Sequence, residues 1–301
     1  EAAYALAARI QDSVWPGLSR APFGTLYVDS TREFAVGVEG LPDGFVRLAG
    51  ARVAGREVAV RPREFSPNLL ATFPAFGRTP VIIIGSPEAT RKSSTAWILT
   101  LLHEHFHQLQ MADTAYVAAV QGLGLARGDS TGMWMLNFAF PYDSAGVQSA
   151  FAAAARQLAA AIRSPSPAGR AGFWRLYDAL LSGLGPDDRR YLIFQLWQEG
   201  VSRYVELRAA EVAARGFVPS EAFRSLPDYR PCAEVAGRMR EAILAELDAP
   251  DLGGRRRVSF YAFGAGIGLL LDQTGPGWRE AYLARKFDLR PPRREGVRGL
   301  R

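Results

Sequence analysis

The chain holds one cysteine, Cys232, which leaves nothing to form an internal disulfide and no thiolate cluster for a zinc finger. Lysine is nearly as scarce. Lys92 and Lys286 are the only two among 36 basic residues, a bias toward arginine that genome composition explains. No apolar run reaches the roughly 18–20 residues that a membrane-spanning helix needs. The longest, Phe260 to Leu271, is interrupted by Gly264, Gly266 and Gly268, so no transmembrane segment is expected. Nor is the body of the chain basic. Of the net charge of +6, the stretch from Arg285 to Arg301 supplies +5, with seven basic residues against two acidic ones. That distribution excludes an extended field for nucleic acid. The tail at 290–301 reads as a solvated, disordered end. A hydrophobic content of 48% and a charged content of 22% are ordinary for a soluble globular protein, and 301 residues can bury a sizeable core. The chain opens at Glu1 rather than methionine. A cleaved signal peptide would place it in a secreted or periplasmic setting, and a trimmed N-terminus would leave it cytoplasmic.

Histidine is the third scarcity, and the informative one. The chain has three, and all fall in Leu102-His103-Glu104-His105-Phe106-His107-Gln108. Residues four apart on an α-helix share a face, so His103 and His107 can reach one metal ion. Glu104 is offset just enough to act on water at that metal, the His-Glu-x-x-His pattern of zinc hydrolases. His105 lies about 200° around the helix from His103 and points away.

The surrounding pattern places this motif on a helix. Ala2 to Val14 reads as a helix stopped by Trp15-Pro16-Gly17. Short strand-like runs follow at Thr25–Val28, Glu33–Val38, Phe45–Leu48 and Glu57–Val60, separated by Gly and Pro turns. Pro80–Gly85 is the most strand-like segment. Read from sequence, it is equally an edge strand able to receive an extended substrate or a buried central strand. Ser93, Ser94 and Thr95 offer N-caps for the motif helix. Beyond Met111 the pattern turns helical: 146–162, 172–184, 186–216, 231–247, 259–273 and 278–287. Met133–Tyr142 is an irregular segment rich in large apolar groups, a core-packing stretch or a cleft wall. The fold class expected is therefore α+β: residues 1–112 as an α/β lobe with a small mixed sheet and the zinc helix, and 113–289 as a larger helical lobe completing the site.

A catalytic zinc site uses three protein ligands and leaves a position for water. With no histidine or suitable cysteine remaining, the third ligand is expected to be a carboxylate. Glu199 stands among Ile193, Phe194, Leu196 and Trp197, where an unpaired carboxylate is costly, and Gly200 beside it lets another helix approach closely. Glu206, seven residues on, is the alternative ligand, a group that holds a ligating histidine or a surface charge; burial favours Glu199. Gln108, Gln110 and Asp113 end the motif helix as surface groups or as supports for the ligands.

With His103-Glu104-x-x-His107, the string Trp197-Gln198-Glu199-Gly200-Val201-Ser202-Arg203-Tyr204 resembles the gluzincin metallopeptidases. It is similar to the Asn-Glu-Gly-Phe-Ala-x-Tyr segment of the zinc aminopeptidases among them. Tyr261-Ala262-Phe263-Gly264 resembles that family's Tyr-x-x-Gly helix, and the three motifs occur in the family's order. The resemblance implies a zincin-like N-terminal lobe and a single Zn2+ held by His103, His107 and Glu199. It further implies Glu104 as general base, Tyr261 as donor to the oxyanion, and a peptide or protein as substrate. Read from its residues alone, Tyr261 is equally a core tyrosine bonded to a carbonyl. The 92 positions between His107 and Glu199 exceed the family's short connection, and the Gly-x-Met-Glu-Asn string that grips a free amine is absent, so aminopeptidase specificity is not implied. Two other functions remain open: a zinc-binding protein without proteolytic activity, and a zinc hydrolase of non-peptide amides or esters.

Overall fold

A computed structural model of the protein describes residues 1–291; the greater part of the tail expected at 290–301 lies outside the described residues. Helix α1 (Ala2–Val14) leads into strands β1 (Thr25–Val28), β2 (Arg32–Val36), β3 (Val46–Val53), β4 (Arg56–Pro62), β5 (Leu70–Phe73) and β6 (Val81–Gly85). The motif helix is α2 (Ser94–Ala112), followed by α3 (Tyr116–Gly122), α4 (Trp134–Asn137), α5 (Ala145–Arg163) and α6 (Pro167–Ser182). Next, α7 (Pro186–Gln195) passes through a π-helical turn at Leu196–Gly200 directly into α8 (Val201–Gly216). The chain ends with α9 (Glu221–Arg224), α10 (Cys232–Asp248), α11 (Leu252–Arg255), α12 (Ser259–Asp272) and α13 (Gly277–Ala281). The fold is α+β, a mixed six-stranded sheet with a helical C-terminal region. No helix among the described residues is long and apolar enough to cross a membrane.

The strand order is β3-β4-β2-β1-β6-β5, with β1 and β6 parallel and the other pairs antiparallel. The continuous apolar run of β6 follows from burial on both faces. Ile82 and Ile84 join the main core with α1 and α2, while Val81 and Ile83 pack with Leu26, Val28, Ala35 and Ala59 on the far side. That far side also encloses the ion pair of Glu33 and Arg61, 2.8 Å apart, beneath Phe45, Phe65 and Phe76. Since β6 is internal, the edge position it could have held belongs to β5. That strand is only four residues long and lacks the β-branched run that marked β6. The main core runs without a break from α1 and α2 into α8 and α12.

Helix α2 starts where several donors find partners. Ser93 Oγ accepts from the Ala96 amide at 3.3 Å, and the Asp228 carboxylate accepts from the Ser94 amide at 2.6 Å. Both satisfy amides that a helix N-terminus leaves without partners. The loop before α10 is thereby fastened to the helix that carries the motif. Met133–Tyr142 is largely irregular, with Trp134, Phe140 and Tyr142 buried and Met133 and Leu136 exposed.

Candidate metal centre

Helix α2 presents His103 and His107 on one face, with their Nε2 atoms 3.2 Å apart. The long helix α7–α8 faces them. Glu199 Oε2, from its π-helical turn, lies 3.5 Å from His107 Nε2 and 3.9 Å from His103 Nε2. These three residues form a compact group of potential ligands. Turns of π type are frequent at functional sites because they break the regular register of a helix. Here Gln198 and Glu199 both reach His107, Gln198 Nε2 lying 3.0 Å from Nδ1 and Glu199 lying on the Nε2 side.

A pair of glycines sets the spacing between Glu199 and Tyr261. A Cβ built on Gly200 would stand 2.5 Å from Gly264 Cα, so α8 and α12 touch backbone to backbone at that point. Gly266 and Gly268 accept Leu158 and Tyr204 similarly closely. The glycines of α12 thus serve helix packing.

Polar groups stand behind both imidazoles. Gln110 Nε2 faces the carbonyl oxygens of Trp197 and Gln198, 3.3 and 3.1 Å away, and these can only accept. The Gln110 amide oxygen is thereby turned to His107 Nδ1, at 2.7 Å, where the Gln198 amide nitrogen also converges, its own oxygen accepting from the Tyr116 hydroxyl at 3.1 Å. On His103, Nδ1 faces Glu206 Oε2 at 3.6 Å and is otherwise without a partner. Glu206 in turn accepts from Arg203 Nη1 at 2.6 Å and from Thr100 Oγ1 at 2.9 Å. This carboxylate therefore sits behind a histidine, the position that orients a ligand, and not among the three converging atoms.

Two imidazole nitrogens and a carboxylate oxygen then converge. A tetrahedral zinc ion with bonds of about 2.0–2.2 Å separates its ligand atoms by about 3.3–3.6 Å, close to the distances observed. The donor set fits a divalent cation. The local field has the same sense. Burial opposes charge on His107, but Glu199 and Glu104 raise it to about 9. Burial likewise opposes charge on Glu199, while His107, His103 and Arg257 lower it to about 2. Glu206, despite burial, is held well below the usual carboxylate range by Arg203 and His103.

Glu104 is buried, and its Oε2 lies 2.7 Å from Thr72 Oγ1 on edge strand β5. Tyr261 is half-buried, between the buried Phe260 and Ala262 of α12. Its ring lies 6.4 Å from that of His103 and 12° from parallel, and its hydroxyl accepts from Arg257 Nη1 at 2.7 Å. Burial, then Glu199, raise this phenol well above its ordinary range. Arg257 also approaches Glu199 Oε1 at 3.6 Å. His105 points away, stacked on Phe23 at 4.2 Å and bonded through Nδ1 to Gln108 at 2.9 Å; burial lowers it to about 4. Cys232 lies at the start of α10, outside the group.

Sequence reasoning named the six residues His103, Glu104, His107, Glu199, Glu206 and Tyr261 and missed Thr72, Gln198 and Arg257. Gln110 was legible as a helix neighbour of His107. Arg257 also had a signal: Arg255-Arg256-Arg257 stands just before the N-terminus of α12, where the helix dipole disfavours cations. No protein-family model matches the chain, and no curated protein or solved structure shows significant similarity to it.

Proposed function

We propose that the chain is a zinc-dependent peptidase with a zincin-like arrangement of sheet and active-site helix. The observation that carries this reading is the convergence of the two Nε2 atoms and Glu199 Oε2, with Gln110 and Glu206 standing on the Nδ1 sides of the histidines. Zinc, held there by His103, His107 and Glu199, would supply a Lewis acid that makes water acidic near neutral pH, lowering its pKa from 15.7 to about 7. Glu104 takes the proton of the attacking water as the new carbon–oxygen bond forms, and passes it to the leaving nitrogen as the carbon–nitrogen bond breaks. Tyr261, kept protonated by its surroundings, donates to the developing oxyanion. Strand β5, at the sheet edge and touching Glu104 through Thr72, offers main-chain groups to an extended peptide.

Two imidazoles and one carboxylate also serve iron(II) oxygenases. A carboxylate adjacent to the first histidine favours hydrolysis, since oxygen activation has no need of that base. The enclosure of the site supports one alternative within hydrolysis. His103 and His107 are 7% and 5% exposed, which suits a small amide or ester as well as a peptide.

The test is metal analysis of the purified protein together with Glu104→Gln assayed on a panel of peptides and small acyl substrates. One zinc per chain is expected in both proteins, with turnover in the variant reduced by about 10²–10⁴. Turnover undiminished by the substitution would remove Glu104 as base. Zinc binding with no hydrolysis by either protein would leave a metal-binding protein.

A further inference from the structure

Arg255, Arg256 and Arg257 enter α12 together but go to different places. Arg255 pairs with Glu246 at 3.1 Å and Arg256 with Asp143 at 3.3 Å, both at the surface. Arg257 turns inward, its side chain 20% exposed, and reaches the candidate metal centre. The backbone just before it is strained to achieve this. Arg256 has φ 48° and ψ −128°, a region that residues other than glycine rarely occupy. Strain of this kind persists only where the surroundings impose it, and here it separates two outward arginines from one directed at the site.

The hydrogen-bond inventory then fixes what Arg257 does. A guanidinium has donors and no acceptor. At 2.7 Å from Nη1, the Tyr261 hydroxyl must therefore accept. The phenol's only proton is consequently left for an acceptor other than Arg257. The same Nη1 stands 3.6 Å from Glu199 Oε1, the oxygen remote from the histidines.

We infer that Arg257 is the positioning residue of this centre, orienting the Tyr261 proton toward the reacting carbonyl. The inference rests on the hydrolytic reading above for its consequence in turnover, but the Arg257–Tyr261 bond can be measured without it.

Two measurements test it on the full-length, zinc-loaded protein. The first needs no substrate. With tyrosine labelled at the ring carbon bearing the hydroxyl, Tyr261→Phe assigns the Tyr261 resonance in NMR spectra. Arg257→Ala should shift that resonance, and added methylguanidinium should return it toward its original position. Arg257→Lys, which keeps a donor but not the fork, should give an intermediate shift, and it provides the comparison if the alanine variant folds poorly. A resonance indifferent to both substitutions would overturn the inference, whatever the enzyme's activity. A resonance that responds in a protein that hydrolyses nothing would sustain the positioning contact while removing the peptidase reading.

The second measurement is kinetic. Arg257→Ala should lower kcat by about 10- to 100-fold, the effect of losing one charge-assisted hydrogen bond, with KM little changed. In the Tyr261→Phe background the same substitution should cost no more than about threefold, because the partner through which it acts is gone. Losses that multiply in the double variant, or that fall on KM, would show that Arg257 works independently of Tyr261 and would refute the assignment.

Discussion

Replacing Gly200 by alanine tests whether the approach of α8 to α12 sets the geometry of the site. The added Cβ would meet Gly264 Cα at 2.5 Å, and the C and N atoms of the same residue at 3.1 and 3.2 Å. All three are backbone atoms, so no rotamer change can relieve the contact. Carbon–carbon contact is comfortable at about 3.5–4.0 Å, and the helices must therefore separate by about 1 Å. Overpacking of this kind costs about 1–3 kcal/mol, while alanine in place of a helical glycine returns at most about 1 kcal/mol. The net expectation is a loss of about 1–2 kcal/mol, or about 2–5 °C in Tm. Since Glu199 precedes Gly200 and Tyr261 lies one turn before Gly264, the displacement falls on the site itself. Misplacement by about 1 Å can cost about 100-fold in rate. Gly237→Ala is the control. It sits within α10, exposed, with no atom within 4 Å of the added Cβ, and should stabilise by about 0.5–1 kcal/mol. The assay is thermal unfolding of both variants at fixed metal concentration, with zinc affinity measured by competition against a chromogenic chelator. If Gly200→Ala stabilises the protein as Gly237→Ala does, with zinc affinity unchanged, the helices are not held in contact there and the reasoning fails.

Glu206→Gln should keep the side chain's shape but remove the charge facing His103 Nδ1 at 3.6 Å, weakening zinc binding by about 10–100-fold. Unchanged affinity in the chelator competition would show that Glu206 does not support the ligand. Asp228→Ala removes an acceptor for the Ser94 amide and hydroxyl at the start of α2 and should cost about 1 kcal/mol at neutral pH, as loss of a helix cap does. Bonds from the Ser94 side chain and amide lower the Asp228 carboxyl in the folded protein. Its contribution is therefore complete above the ordinary range of an aspartate, about 3.9, and disappears as pH falls through the lower folded value. Denaturant unfolding across pH should show the wild-type advantage shrinking at acid pH; an advantage independent of pH would mean that charge on Asp228 plays no part.

What the sequence made legible is what helix periodicity and residue scarcity can carry. His103 and His107 on one face follow from spacing alone, and the long helix from Pro186 to Gly216 follows from its apolar pattern. Glu199 emerged because a carboxylate among large apolar residues beside a glycine is expensive without a partner. The π turn that aims it has no comparable signature, since its residues read as ordinary helix. Strand β5 escaped notice because four residues carry too little pattern, and Thr72 because its contact with Glu104 spans 32 positions. Arg257 illustrates a signal present but unread: a cation at a helix N-terminus contradicts the dipole, and local contradictions of that kind tend to coincide with function.

The distant residues and the local motif meet at one place, the face of α2 that carries His103 and His107. Spacing on α2 brings two Nε2 atoms within 3.2 Å of each other, and spacing alone would allow them to share a proton and close the gap. Behind the imidazoles stand polar groups that are themselves held in place. Gln110 is pinned by two main-chain carbonyls of the π turn, and Glu206 by Arg203 and Thr100. The same turn thus supplies Glu199 as the third ligating atom and, through its carbonyls and the Gln198 amide, sets the contacts of His107 Nδ1. A buried polar cluster of this kind is unfavourable unless a cation occupies it. Metal affinity should therefore depend on the segment Leu196–Gly200 more steeply than a count of ligating atoms implies, because changes in that turn disturb a ligand and the contacts of its neighbour together.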